Sequence, residues 1–259
     1  LIVGCGSLGS TLALNLAPLV SNFALADAKE VSIFNPVRQE YHFSQVGQKK
    51  VLALKENLKE FDLDIETIVK EFNSENIVEF KNFIAEYQPD LVVLATASTD
   101  EYYLSEVLWK NEIKHISMRC YPRAKWFEVI FVIPKITACF ACIRGNIYTG
   151  TLPKLNPEQE ARYDPEYDPL VLESEPATKI DSERCSNISA RISYELLRDK
   201  NSHWFANLVN NQKNCLIGAN RIESDKNGFC YGISLPEQVV AYGINDLKND
   251  QEECLFCNR

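Results

Sequence analysis

The chain has 259 residues, a formal net charge of −9 and 46% hydrophobic residues, with nine cysteines and three histidines. That length suits one large α/β domain or two small ones, and the modest charged fraction excludes a disordered chain. The acidic balance argues against nucleic acid as a partner. The most apolar stretch, Trp126 to Pro134, is too short to span a bilayer and carries Glu128, so no membrane segment is expected.

The opening residues, LIVGCGSLGS, have neither a basic flank nor a small-residue cleavage site and do not read as a signal peptide. The chain starts without Met, inside an apparent strand, and so reads as a domain cut from a longer polypeptide or as one lacking its N-terminus. An odd number of cysteines, spaced as Cys139-x-x-Cys142 and Cys254-x-x-Cys257, disfavours complete disulfide pairing and points to a reducing, cytoplasmic setting.

Leu1 to Val3 is a short apolar run that ends in Gly4-Cys-Gly6-Ser-Leu-Gly9. Ser10 to Val20 then carries Leu12, Leu16 and Leu19 at helical spacing, with Pro18 set to end the helix early. Phe23 to Ala26 is a second strand, closed by Asp27. Gln48 to Phe61 predicts a helix with Val51, Leu54, Leu58 and Phe61 on one face. Ile65 to Val69 and Asp90 to Thr96 read as strands, with a helix from Asn76 to Tyr87 between them. His115 to Cys120 and Trp126 to Ile133 close the sheet as an antiparallel pair around Tyr121-Pro-Arg-Ala.

Beyond Cys142 the composition shifts. Asn156 to Glu183 holds Pro157, Pro165, Pro169 and Pro176, with nine acidic residues against two basic ones. Such a segment reads as a solvated or functional loop, and a partner that contacts it should be basic. A helix from about Asn187 to Asp199 follows. Leu208 to Ile217 and Gly228 to Ile244 read as strand-rich. Strands alternating with helices imply a mainly parallel sheet covered on both faces.

Gly4-x-Gly6-x-x-Gly9 lies between a strand and a helix, and Asp27 closes the next strand 18 residues after Gly9. Glycines there permit a tight turn and close approach of a phosphate to the helix N-terminus, formed by Gly4, Gly6, Ser7, Leu8 and Gly9. The Asp27 carboxylate can accept hydrogen bonds from a ribose. This pattern predicts a nucleotide site in a Rossmann-like fold, but serves NAD and ATP equally. Two C-x-x-C pairs form a four-thiolate set suited to structural zinc; a redox pair or buried thiols are the alternatives. Cys5 and Cys120 read as packing thiols. His42, His115 and His203 form no metal constellation.

Asp27-x-Lys29-x-Val31-x-x-x-Asn35-x-x-Arg38-Gln39, followed by Gly47-x-x-Lys50, resembles the ubiquitin-activating enzyme superfamily, the HesA/MoeB/ThiF adenylyltransferases. The superfamily pattern has Asp where this chain has Lys29. The cysteine pairs match the superfamily's zinc pairs, so the resemblance is firm over residues 1–142 and loose from Ile143 to Glu253. It implies that Asp27 holds the ribose of ATP and that Asn35, Arg38, Gln39 and Lys50 contact its phosphates, with Mg2+ as a further cofactor. The superfamily's metal-binding Asp follows its fourth strand as T-D-N. Thr99-Asp100-Glu101 is the natural match, although without a gap Ala97 would stand there, and Asp100 could serve instead as a helix N-cap. Cys185 follows the acidic segment, where many relatives place a thioester-forming cysteine. A helix N-terminus and the adjacent Arg184 would favour its thiolate, against the plain reading of a structural thiol.

These expectations combine into one adenylation domain. Residues 1–142 form its doubly wound, Rossmann-like nucleotide-binding part, with helices on both faces and an antiparallel extension. Residues 143–185 form an acidic Pro-rich crossover loop, and residues 186–259 complete the domain, closed by zinc on Cys139, Cys142, Cys254 and Cys257. The implied reaction is ATP-dependent activation of the C-terminal carboxylate of a ubiquitin-like protein or peptide. Transfer to a sulfur acceptor or conjugating partner could follow. The resemblance also implies a homodimer, with an arginine from upstream of the glycine loop completing the neighbouring site. Two rivals remain: an NAD-dependent oxidoreductase and an inactive superfamily partner.

Overall fold

In a computed structural model the described residues are 1–120, 126–149, 178–220, 239–246, 254, 256 and 257. The Tyr121-Pro-Arg-Ala connection, most of the acidic segment and Cys230 lie outside them. One sheet of eight strands runs in the order β3-β2-β1-β4-β5-β6-β7-β8. It comprises β1 (Ile2–Val3), β2 (Asn22–Ala26), β3 (Asp64–Ile68), β4 (Val92–Leu94), β5 (His115–Cys120), β6 (Trp126–Val132), β7 (Cys215–Ala219) and β8 (Val239–Tyr242). The first five strands pair in parallel and the last three extend the sheet antiparallel. This is the expected doubly wound α/β architecture with its antiparallel extension.

Alternation along the strands divides the core. Ile2 and Leu25 point to one face, where they meet α1 (Ser7–Leu16), α2 (Lys50–Asn57), α6 (Lys179–Leu197) and α7 (His203–Asn210). Val3, Ala26, Val92 and Leu94 point to the other, against α3 (Ile77–Tyr87) and α4 (Glu101–Lys110). Trp126, Ile130 and Ile217 pack on α5 (Phe140–Thr149). Strands β1 and β4 lie side by side, with β2 and β3 laid down beyond β1 and β5 to β8 beyond β4. That makes the β1/β4 boundary the switch point, and in such sheets the crevice at the carboxyl ends of the strands there is the usual ligand site.

Three expectations need correction. The helix expected from Asn187 starts at Lys179, because Thr178 and Asp181 form a reciprocal capping box: Asp181 Oδ2 accepts from Thr178 N at 2.9 Å, and Thr178 Oγ1 accepts from Asp181 N at 3.3 Å. The start of the Leu208 to Ile217 stretch belongs to α7, which Ser202 caps through Phe205 N; only its end is strand. The helix expected from Gln48 to Phe61 ends at Asn57 and continues as a single 3-10 turn, Lys59–Phe61, stopped by Asp62 in the left-handed region. Among the described residues no helix is long and apolar enough to cross a membrane.

Candidate active site

The β1–α1 turn forms the floor of the crevice. Gly4 has φ +93°, and a Cβ there would lie 2.7 Å from the Ala95 carbonyl oxygen; a Cβ at Gly9 would lie 1.8 Å from the Gly4 carbonyl oxygen. Both positions therefore require glycine. Gly6 differs, since nothing lies within 4 Å of its missing Cβ. It is the N-cap residue of α1, and no side chain caps the helix. The positive end of α1 thus faces open space. Leu8 is buried in the core, so its contribution to a ligand would come from the main chain.

Asp27 ties this turn to β2. Its Oδ2 accepts from Cys5 N at 2.7 Å and its Oδ1 from Lys29 N at 2.8 Å. Tyr41 secures the turn from the other side, donating its hydroxyl to the Cys5 carbonyl at 2.6 Å. Cys5 itself is fully buried, and burial pushes its thiol up.

The segment after β2 supplies the cations. Asn35 Oδ1 accepts from Ser32 N at 2.9 Å, and its carbonyl accepts from Arg38 N at 3.0 Å and Gln39 N at 2.9 Å. Asn35 therefore shapes the turn that presents Arg38 and Gln39, and its side-chain oxygen is already engaged. Gln39 is buried with its Oε1 unpartnered, an oxygen left for a donor from outside the described residues. Lys50 opens α2 and is only 7% exposed. Its ammonium makes no hydrogen bond or ion pair among the described residues. Burial lowers its pKa, partly opposed by Asp27 and Cys5, while Lys29 and Arg38 press it further down. Lys50 thus lies within electrostatic range of Asp27, Lys29, Arg38 and the glycine turn at Cys5, an arrangement suited to a polyanion.

Asp100, at the other end of the loop that leaves β4, is engaged by Ser74 and by Ser98 Oγ. Its Oδ1 accepts from Ser74 N at 3.0 Å, and that N–H holds its carboxyl below the usual range. Asp100 sits at the N-cap of α4 but makes no side-chain cap bond. Ala97, the alternative match to the superfamily Asp, lies in the left-handed region at φ +54°.

Cys185 also departs from expectation. With α6 starting at Lys179, it lies nearly two turns into the helix and is fully buried, its Sγ 3.9 Å from the Arg119 carbonyl. Burial and the neighbouring Cys120 thiol push its pKa well above the ordinary value. Arg184 turns away, its Nη1 donating to the Ala219 carbonyl and its guanidinium lying over the Phe127 ring. A helix N-terminus and an adjacent cation are therefore both missing as activators of this thiol.

The cysteine pairs do come together. The four Sγ atoms of Cys139, Cys142, Cys254 and Cys257 lie within 4.8 Å of one another, with Cys139–Cys254 at 3.6 Å and Cys142–Cys257 at 3.5 Å. Disulfides need about 2.05 Å. Tetrahedral zinc with bonds of about 2.3 Å sets sulfurs about 3.8 Å apart, so the donor set fits a closed zinc site.

Sequence reasoning missed two features at the crevice. Glu40 accepts from Thr11 Oγ1 and from Lys179 Nζ, both at 3.0 Å, tying α1 to the start of α6. Glu101, read only as a departure from T-D-N, is a fully buried carboxylate engaged by four donors. The alternation of His115, Ser117 and Arg119 along β5 was the available signal for its polar surroundings.

Among solved structures of similar fold is PaaA (TM-score 0.62, 18% identity), with 94% of this chain and 62% of that chain covered. Escherichia coli MccB with ATP gives a TM-score of 0.62 at 13% identity, covering 99% of this chain and 65% of that one. The Microcin C7 biosynthetic enzyme MccB in complex with N-formylated MccA gives 0.63 at 14%, covering 99% and 66%. The chain thus spans somewhat less than two thirds of the length of these proteins. No curated protein sequence matches it. Residues 1–172 match the ThiF family. The chain belongs to the ThiF family.

Proposed function

We propose that the protein is an ATP-dependent adenylyltransferase that activates the C-terminal carboxylate of a peptide or ubiquitin-like protein. The observation that carries this reading is the buried, unpaired Lys50 ammonium beside Arg38, at the open N-terminus of α1. Membership of the ThiF family and the fold shared with MccB, solved with ATP and with MccA, support it.

In this mechanism a substrate carboxylate oxygen attacks the α-phosphorus of ATP in line. A new P–O bond forms, the bond to the bridging oxygen breaks, and pyrophosphate leaves. Negative charge grows on the phosphate oxygens, where Lys50 supplies a point charge, Arg38 a planar fork and the α1 amides fixed dipoles. Asp27, already fixed by two backbone N–H groups, has lone pairs left for the ribose hydroxyls. Asn35 contributes through the turn it shapes, while the unpartnered Gln39 oxygen can accept from a hydroxyl or amine of the nucleotide but not bond its phosphate oxygens. Mg2+ would add positive charge on the phosphates; Asp100, engaged with Ser74, is given no metal in this scheme. The acyl-adenylate passes to an acceptor outside the chain, because Cys185 is buried. Zinc on the four cysteines would hold the C-terminal pair to α5 and takes no chemical part. A homodimer and a cytoplasmic setting complete the proposal.

Calorimetric titration tests the nucleotide assignment. The protein should bind ATP with Mg2+ but not NAD, and Lys50→Met should weaken ATP at least about tenfold, the scale of one lost charge-assisted contact. Binding of NAD alone would support an oxidoreductase instead.

A further inference from the structure

Glu101 lies at the start of α4, on the α3/α4 side of the sheet, fully buried. Its Oε1 accepts from Thr96 Oγ1 at 2.9 Å and Ala97 N at 2.8 Å. Its Oε2 accepts from Ser117 Oγ at 2.5 Å and Arg119 Nη2 at 2.6 Å. Arg119 Nε lies 3.6 Å from Glu128 Oε1, and Glu128 in turn accepts from Arg144 Nη1 at 2.7 and 2.9 Å. Charges therefore alternate through the interior from α4 across β5 and β6 to α5.

Taking a carboxylate out of water is costly unless every lone pair is used, as it is here. What the carboxylate holds is specific. Two of its four donors belong to the loop that leaves β4. In that loop Ala97 adopts a left-handed conformation that a residue with a Cβ disfavours. Its neighbour Ala95 supplies the carbonyl against which the Gly4 turn is seated, so closely that no Cβ fits between them.

We infer that Glu101, paired with Arg119, is a positioning residue for the nucleotide crevice: it clamps the 95–100 loop in the conformation on which the glycine turn rests. The inference depends on the proposed function only in naming the crevice a nucleotide site. The clamp itself can be tested without ligand.

The experiment compares Glu101→Gln with Phe80→Leu, a core substitution in α3 that leaves all four donors of Glu101 in place. Hydrogen exchange is read on the free protein at the amides of Ala97, Gly4 and Cys5, and then the Kd for ATP with Mg2+ is measured. The expected result is exchange at least tenfold faster at all three amides in Glu101→Gln, with ATP weakened about tenfold. Phe80→Leu should lower the unfolding midpoint while leaving both readouts near wild type. Should Glu101→Gln fail to fold, Thr96→Val removes a single donor and should accelerate the same amides severalfold. Unchanged exchange at Gly4 and Cys5 in the Glu101 or Thr96 variant, or the same pattern in Phe80→Leu, would overturn the clamp. If the wild-type protein binds no ATP, the proposed function falls while the exchange result still decides the clamp.

Discussion

His115 shows how one buried side chain sets a pH dependence away from the crevice. Its Nδ1 lies 3.0 Å from the Ile113 carbonyl, which can only accept, so Nδ1 carries the proton and Nε2 accepts from Ser105 Oγ at 2.7 Å. Burial lowers the pKa of His115 from 6.5 to about 4. Between those values the unfolded chain binds a proton that the folded chain refuses, so stability rises with pH through that window. Going from pH 7 to pH 5 should cost about 2 kcal/mol of unfolding free energy from this residue. Urea titrations at the two pH values check this, and His115→Gln should flatten the difference. Local spacing made Gly4, Gly9 and Asp27 legible, because each belongs to its own turn or strand end, whereas Lys50 was legible only through the family resemblance. Asp100 was not legible in the same way, since its partner Ser74 lies 26 residues earlier in the chain. The four donors that explain Glu101 come from its own loop and from β5.

At the scale of elements, the four clustered cysteines bring the start of α5 together with Cys254 and Cys257. Cys139 and Cys142 flank Phe140 at the start of α5, and Phe256, between the other pair, lies edge-on to Tyr102 of α4. A metal there would crosslink segments separated by more than a hundred residues. Metal analysis should find one zinc per chain, absent in Cys254→Ser. Losing such a crosslink, about 3 kcal/mol, should lower the thermal midpoint by roughly 6–12 °C. This pairing was readable because ligand count and C-x-x-C spacing carry the chemistry by themselves. The true start of α6 was not. Proline and acid content upstream pointed to a loop, while the Thr178–Asp181 box that starts the helix is a short signal easily lost inside it. That difference of two turns removes the helix-end environment expected for Cys185.

For the whole molecule, the strand order places β1 and β4 side by side, and the crevice at their carboxyl ends collects the glycine turn, Asp27, Arg38 and Lys50. Alternating strands and helices made this architecture readable in advance, as did the antiparallel pairing of β5 with β6. The helix α5 was not anticipated, and α4 only through a possible cap at Asp100, because their buried faces mix Glu101, Ser105 and Arg144 with apolar residues. The account stands on a polyanion being held here so that its α-phosphorus can meet a carboxylate. The most direct test is exchange of labelled pyrophosphate into ATP by the protein, given a peptide with either a free or an amidated C-terminus. The account predicts exchange with the free carboxylate, none with the amide, and a loss of at least about a hundredfold in Arg38→Ala, the scale of one transition-state charge contact. Exchange that is indifferent to the peptide's carboxylate, or unchanged in Arg38→Ala, would contradict it.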